Sequence, residues 1–194
     1  MGPPHIATAA LSSILMAALV STACSGQAAD ADSDASAHVV PVVESIVDGD
    51  TIRVSFGSSS EPVRLLGIDT PESVDPARPV QCFGVEATDR ITELIPPGTE
   101  LRLEIDREAR DQYGRLLAYV YRASDDLFVN SSLLVDGFAA LSIYPPNDTY
   151  RAQLERVAQT AHTANVGFWS ACGGADVPVD PPPVAQPADT AASR

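Results

Sequence analysis

Beyond residue 38, apolar positions recur with two different periods, and the switches between them divide the chain. Residues 39–47 (VVPVVESIV) are apolar and β-branched and predict a first strand ending at Asp48. Alternation in Ile52-Arg53-Val54, and again across residues 63–68, predicts two more strands, with Gly57 and the serines at 58–60 as their turn. Residues 74–82 form a proline-broken loop. Over residues 84–95 the apolar positions Val85, Ile91, Leu94 and Ile95 mark an amphipathic helix, ended by Pro96-Pro97-Gly98. Alternation returns at 99–105 for a fourth strand, and the run at 116–121 supplies a fifth. Residues 130–136, stopped by Gly137, suit a short helix; residues 150–165 suit a longer one, with Leu154, Val157, Ala158 and Ala161 on one face. The lone Trp169 closes the domain as a core or edge-packing residue. Five short strands with a helix between the third and fourth match a five-stranded Greek-key barrel, the OB-fold: an α+β class with three helices.

The two ends read differently. Residues 1–23 carry a small, apolar stretch that ends at Cys24 and resembles a signal peptide. Ser21-Thr22-Ala23-Cys24 resembles a bacterial lipoprotein cleavage box, although Ser21 stands where an aliphatic residue is usual. Lipidation of Cys24 is the favoured outcome; plain secretion and an uncleaved anchor are the alternatives. Residues 24–38 are small, polar and acidic, a disordered tether, and residues 175–194 are a Pro- and Ala-rich tail of the same character. The ordered domain is expected over 39–174. On this reading the protein is exported and held to a membrane only through the lipid, or secreted if Cys24 is unmodified. It is expected to be a monomer.

Composition narrows the chemistry. The net charge is −14, and the chain has no lysine, so all 12 basic residues are arginines. A broad basic face of the nucleic-acid-binding kind is absent from such a composition, as are P-loop and Schiff-base mechanisms. With Cys24 in the leader, Cys82 and Cys172 remain as an even pair; no Cys-x-x-Cys spacing suggests zinc, and an exported setting favours their disulfide. His5, His38 and His162 stand in unrelated contexts, which disfavours a His-based centre.

The chemistry concentrates in residues 48–72. A hairpin of that length brings Asp48 and Asp50, before its first strand, to Asp69, Thr70 and Glu72 after its second, with Arg64 between. Crowded carboxylates repel one another and commonly exist for a hard cation. Asp50, Asp69 and the Thr70 carbonyl are all oxygen donors, which suits Ca²⁺ or Mg²⁺ and not zinc. Taken alone, Asp48-Gly49-Asp50 would be only a turn.

Three segments in order, DGDT at 48–51, RLLGIDTPE at 64–72 and DQYGR at 111–115, resemble the staphylococcal nuclease family, and the resemblance runs from about residue 42 to 169. It implies an OB-fold nuclease that requires Ca²⁺ and hydrolyses DNA and RNA to 3′-phosphates. Asp50, Asp69 and Thr70 would hold the ion, with Asp48 behind them. Glu72 would be the general base, fixed by Pro71. Arg64 and Arg115 would stabilise the phosphate, and Tyr113 would lie near the nucleotide phosphate. Two positions depart from the pattern. Gln112 replaces a lysine, and Ser142 replaces the tyrosine on which the base stacks. Tyr144, two residues on, either takes over the stacking or merely packs, and packing is favoured. Arg78 and Arg110 are the remaining arginines near enough in sequence to meet a phosphate. The rival classes are a non-catalytic nucleic-acid-binding OB module, against which the intact acids speak, and a Ca²⁺-binding structural module, which has no use for paired arginines. The Asn130 and Asn147 sequons receive no role.

Overall fold

The computed structural model describes residues 39–73 and 79–177. Its strands are β1 (Val42–Ile46), β2 (Thr51–Phe56), β3 (Ser59–Leu65), β4 (Gly67–Asp69), β5 (Leu101–Glu104), β6 (Leu116–Arg122), β7 (Leu127–Phe128) and β8 (Ala140–Ser142). Its helices are α1 (Gly84–Leu94), α2 (Val129–Val135), α3 (Arg151–Ala164) and the single turn α4 (Phe168–Ala171). β1, β2 and β3 form an antiparallel meander, β6 joins β3 in parallel, and β5 pairs antiparallel with β6. β5 then returns to β1: Val42 bridges Glu100, Val43 N donates to Thr99 O at 2.9 Å, and Leu101 N donates to Pro41 O at 2.8 Å. The ring β1-β2-β3-β6-β5 is the expected five-stranded OB barrel.

Strand alternation sorts the two faces. Ile52, Val54, Val63, Leu65, Ala118 and Val120 are buried on the barrel side, where α1 adds Ala87 and Ile91 and α2 adds Leu133 and Leu134. Each Val, Leu or Ile among them contributes about 1.5–3 kcal/mol by burial. Thr51 and Arg64, paired across β2 and β3, sit out of phase with Ile52, Val63 and Leu65. The period-2 pattern therefore turns these polar side chains away from the barrel interior, and both meet Asp50.

Several expectations are revised. The strand expected at 63–68 is two elements. It leaves the barrel at Leu66, whose carbonyl accepts from Asn130 Nδ2 at 2.8 Å while Asn130 Oδ1 accepts from Val120 N at 2.9 Å. β4 then pairs with β8, a three-residue strand that the pattern does not mark. The first hairpin turn is only Gly57-Ser58, since Ser59 pairs with Phe56. Val85 is exposed, and Gly84 and Ala87 take the buried face of α1. Both sequon asparagines, Asn130 and Asn147, are buried structural residues. Trp169 packs at the edge, its ring against His162 and Phe168. The expected signal peptide, Cys24 and the acidic tether lie outside the described residues, as does the tail from 178 onward. The tail boundary itself moves: residues 175–177 are held, with Cys82 N donating to Val177 O at 2.7 Å.

Cys82 and Cys172 form a disulfide across a sequence separation of 90, with their Cα atoms 6.0 Å apart. It joins the start of α1 to the end of α4. Closing so long a loop restricts the unfolded chain by up to about 4 kcal/mol. The Cys82→Ser/Cys172→Ser variant should lose about 2–4 kcal/mol in urea unfolding at neutral pH. An unchanged unfolding midpoint would show that the bond stabilises nothing.

Candidate active site

The site begins at the turn before β2. Asp50 N donates to Asp48 Oδ1 at 3.0 Å, while Val47 N and Asp48 N both donate to Thr51 O at 3.0 and 3.1 Å. The turn presents a nearly buried carboxylate, Asp50, which is 6% exposed. Asp50 Oδ1 accepts from Thr51 Oγ1 at 3.0 Å, and Oδ2 accepts from Thr70 N at 3.0 Å and Thr70 Oγ1 at 3.3 Å. Residue 49 must be glycine for this contact. A Cβ there would lie 2.7 Å from Thr70 Oγ1 and 2.9 Å from the Ala87 Cβ.

Arg64 is locked into this network. Its Nη1 donates to the Leu65 and Ile68 carbonyls at 2.7 and 2.8 Å. Its Nη2 lies 3.1 Å from Asp50 Oδ2 and 2.7 Å from Asp69 Oδ1. Arg115 approaches from the turn before β6. Its Nε donates to Asp111 Oδ2 at 2.7 Å and its Nη1 to Thr51 Oγ1 at 3.4 Å. The Thr51 hydroxyl therefore links Asp50 to Arg115. Asp111 shapes that turn as well, its Oδ1 accepting from Tyr113 N at 3.0 Å and Arg115 N at 2.9 Å. Burial pushes the Asp111 pKa up, but the hydrogen bonds from Arg115 and the backbone outweigh it and leave it below the ordinary carboxylate value. Asp111 keeps its charge beside Arg115 accordingly.

Asp50, Arg64, Thr70, Asp111 and Arg115 open into one cleft of about 850 Å³, lined also by Asp48, Asp69, Glu72, Gln112, Tyr113, Ser142 and Tyr144. Glu72 Oε1 accepts from Ser73 N at 3.0 Å. Tyr113 and Tyr144 are 76% and 75% exposed. Tyr144, for which packing is the favoured expectation, lines the cleft with most of its surface exposed. Arg110 does not line the cleft; it pairs with Glu61 at 2.6 Å. Arg78 lies outside the described residues. Three contributors were not singled out from sequence: Thr51, Asp111 and Gln81. Thr51 and Asp111 lie inside the quoted motifs, so a hydroxyl and a carboxylate flanking the charged residues were a usable signal. Gln81, in a loop, gave none.

The family model described as Staphylococcal nuclease homologue matches residues 62–171. The chain belongs to that family. A thermonuclease of Staphylococcus intermedius is 41% identical over 128 residues, which is 66% of this chain and 74% of that protein. A thermonuclease of Staphylococcus hyicus is 37% identical over 125 residues, 64% of this chain and 72% of that one. Endonuclease YncB of Bacillus subtilis is 41% identical over 129 residues, 66% of this chain and 60% of that one. Membership makes the protein a nuclease, a hydrolase, and gives the cleft a function to be tested.

The nuclease cleft suits an oxygen-seeking cation. Asp50 and Asp69 already share one positive group, Arg64 Nη2, so negative charge converges there, and the Asp69 side chain is 52% exposed to solvent. Among the described residues no three His, Cys, Asp or Glu side chains gather as a group that could hold a metal ion. Two carboxylates with a backbone carbonyl, the rest of the shell being water, is a pattern hard divalent ions accept.

Asp48 shows the electrostatic strain of the cluster. Burial, and then the Asp50 charge, raise its pKa from 3.8 to about 6. An acid whose folded-state pKa is raised costs nothing below its unfolded value and destabilises the fold as pH rises through the folded one. Without metal, then, stability should fall between about pH 4 and 6. Asp48→Asn removes that cost. In chelator at pH 7.5 it should stabilise the protein by about 1–2 kcal/mol, allowing for solvent screening of a half-buried group, with the gain vanishing near pH 3.5. Equal stability of the two proteins at pH 7.5 would contradict the raised pKa.

Proposed function

We propose that this protein is an exported, Ca²⁺-dependent nuclease that hydrolyses DNA and RNA phosphodiesters and leaves 3′-phosphates, anchored to a membrane through lipid on Cys24. The observation that carries the reading is the meeting of Asp50, Asp69, Glu72, Arg64 and Arg115 in a single cleft flanked by two exposed tyrosines. In this reading Asp50, Asp69 and the Thr70 carbonyl hold Ca²⁺, and Asp48 steadies Asp50 through its backbone N–H. The bound ion supplies positive charge beside the phosphate.

The chain's own groups do the rest. Glu72 takes a proton from water as the water oxygen bonds to phosphorus, which is general-base catalysis. The P–O5′ bond breaks, the 5′-oxygen takes a proton from solvent, and the phosphate stays on the 3′-carbon. Arg115 and Arg64 stabilise the extra charge on the non-bridging oxygens, the role suited to planar, fixed guanidinium donors. Tyr113 and Tyr144 offer ring faces to sugar and base. Gln112 and Ser142 leave substrate binding weaker than two further contacts would make it, without touching the chemistry.

Cleavage of single-stranded DNA by the purified protein should require Ca²⁺ and stop in chelator. Glu72→Gln should keep Ca²⁺ binding and lose roughly 100-fold or more in kcat, and the fragments should carry 3′-phosphate. Cleavage that persists in chelator, or a Glu72→Gln variant at wild-type rate, would rule the assignment out.

A further inference from the structure

The backbone of Glu72 is held by one residue, Gln81, through its side chain and its main chain. Gln81 Oε1 accepts from the Glu72 N–H at 2.6 Å, and the Gln81 N–H donates to the Glu72 carbonyl at 2.8 Å. Both main-chain polar groups of Glu72 thus end on Gln81. The far end of the same side chain is also engaged: Gln81 Nε2 donates to Asp176 Oδ1 at 3.2 Å. Asp176 belongs to the segment that follows Cys172, and that segment is tied to the next residue, Cys82, by the disulfide and by Cys82 N donating to Val177 O at 2.7 Å. The start of α1 closes the other side. A Cβ on Gly84 would lie 2.6 Å from the Glu72 carbonyl oxygen and 3.1 Å from that of Pro71, so only glycine lets the helix abut this backbone.

From this geometry we infer that Gln81 is a positioning residue for Glu72, braced in turn by residues 173–177 through Asp176 and the Cys82–Cys172 bond. The inference rests on Glu72 being the general base, as proposed above. A base must sit within hydrogen-bond reach of the proton it removes, and a displacement on the order of 1 Å is enough to cost about 100-fold in rate. The Glu72 side chain has three rotatable bonds, so its carboxylate is only as well placed as the backbone that bears it. On the N-terminal side that backbone is fixed by Thr70 N to Asp50. On the C-terminal side, Gln81 supplies the matching pair of bonds.

The test is single-strand cleavage by the full chain with Ca²⁺ present, run well below the unfolding temperature. Gln81→Ala should lower kcat by about 10- to 100-fold and leave KM within about twofold, the signature of lost transition-state geometry and not of lost binding. Asp176→Ala should lower kcat by a few-fold, and Asp176→Asn, which keeps the acceptor oxygen, should restore it. Cys82→Ser/Cys172→Ser should also lower kcat, and adding it to Gln81→Ala should bring no further loss, because the tail acts through Gln81. Wild-type kcat in Gln81→Ala beside an inactive Glu72→Gln would overturn the inference and leave the base assignment standing. A Glu72→Gln variant that cleaves normally would instead remove the base itself. Should Gln81→Ala not fold, the Asp176 pair decides alone: unchanged kcat in Asp176→Ala would sink the brace.

Discussion

One carboxylate sets the geometry of the cleft. Asp50 is almost buried, and its two oxygens take the hydroxyl of Thr51, the amide and hydroxyl of Thr70, and the guanidinium of Arg64. A charge in that position is tolerated because donors converge on it, one on Oδ1 and three on Oδ2. The same bonds join the start of β2 to the end of β4. They also hold Thr51 where it meets Arg115, and Arg64 where it meets Asp69. The barrel supplies the rigid frame: the β2–β3 pairing sets Thr51 opposite Arg64, and the parallel β3–β6 pairing brings the turn carrying Arg115 alongside.

Charge is used locally. Residues 41–174 contain 11 arginines against 20 acidic residues, so the body of the protein repels a polyanion. Away from the cleft several arginines are held in ion pairs: Arg90 with Asp136, Arg102 with Asp126, Arg107 with Asp148, Arg110 with Glu61, Arg122 with Asp125. On the proposed function, attraction for phosphate falls to Arg64, Arg115 and the cation that the carboxylates would hold. With so few phosphates neutralised, the salt dependence of binding is expected to be shallow.

Much of this was legible in the chain. The strands of the barrel announce themselves by alternation, α1 by spacing and by its stop at Pro96, and α3 by spacing, because those signals arise within a few residues. β8 was invisible, since Ala140, Leu141 and Ser142 become a strand only by pairing with β4. The break at Leu66 was equally hidden; it depends on Asn130, 64 residues away, taking the stray carbonyl. In the cleft, charged residues inside short motifs could be named from sequence. Their supports could not, when they came from afar: Gln81 reaches Asp176 across 95 residues. The exposure of Tyr144 was hidden for the same reason, because exposure is a property of the assembled walls.

The most direct test of this account is calorimetric Ca²⁺ binding by Asp50→Asn beside the wild type, with thermal unfolding of both in chelator. If Asp50 is the shared anchor, the variant stays folded, its Ca²⁺ affinity falls at least about 100-fold, the loss of a carboxylate from a site with two, and cleavage is abolished. A folded Asp50→Asn protein that binds Ca²⁺ and cleaves as the wild type does would contradict the account at its centre.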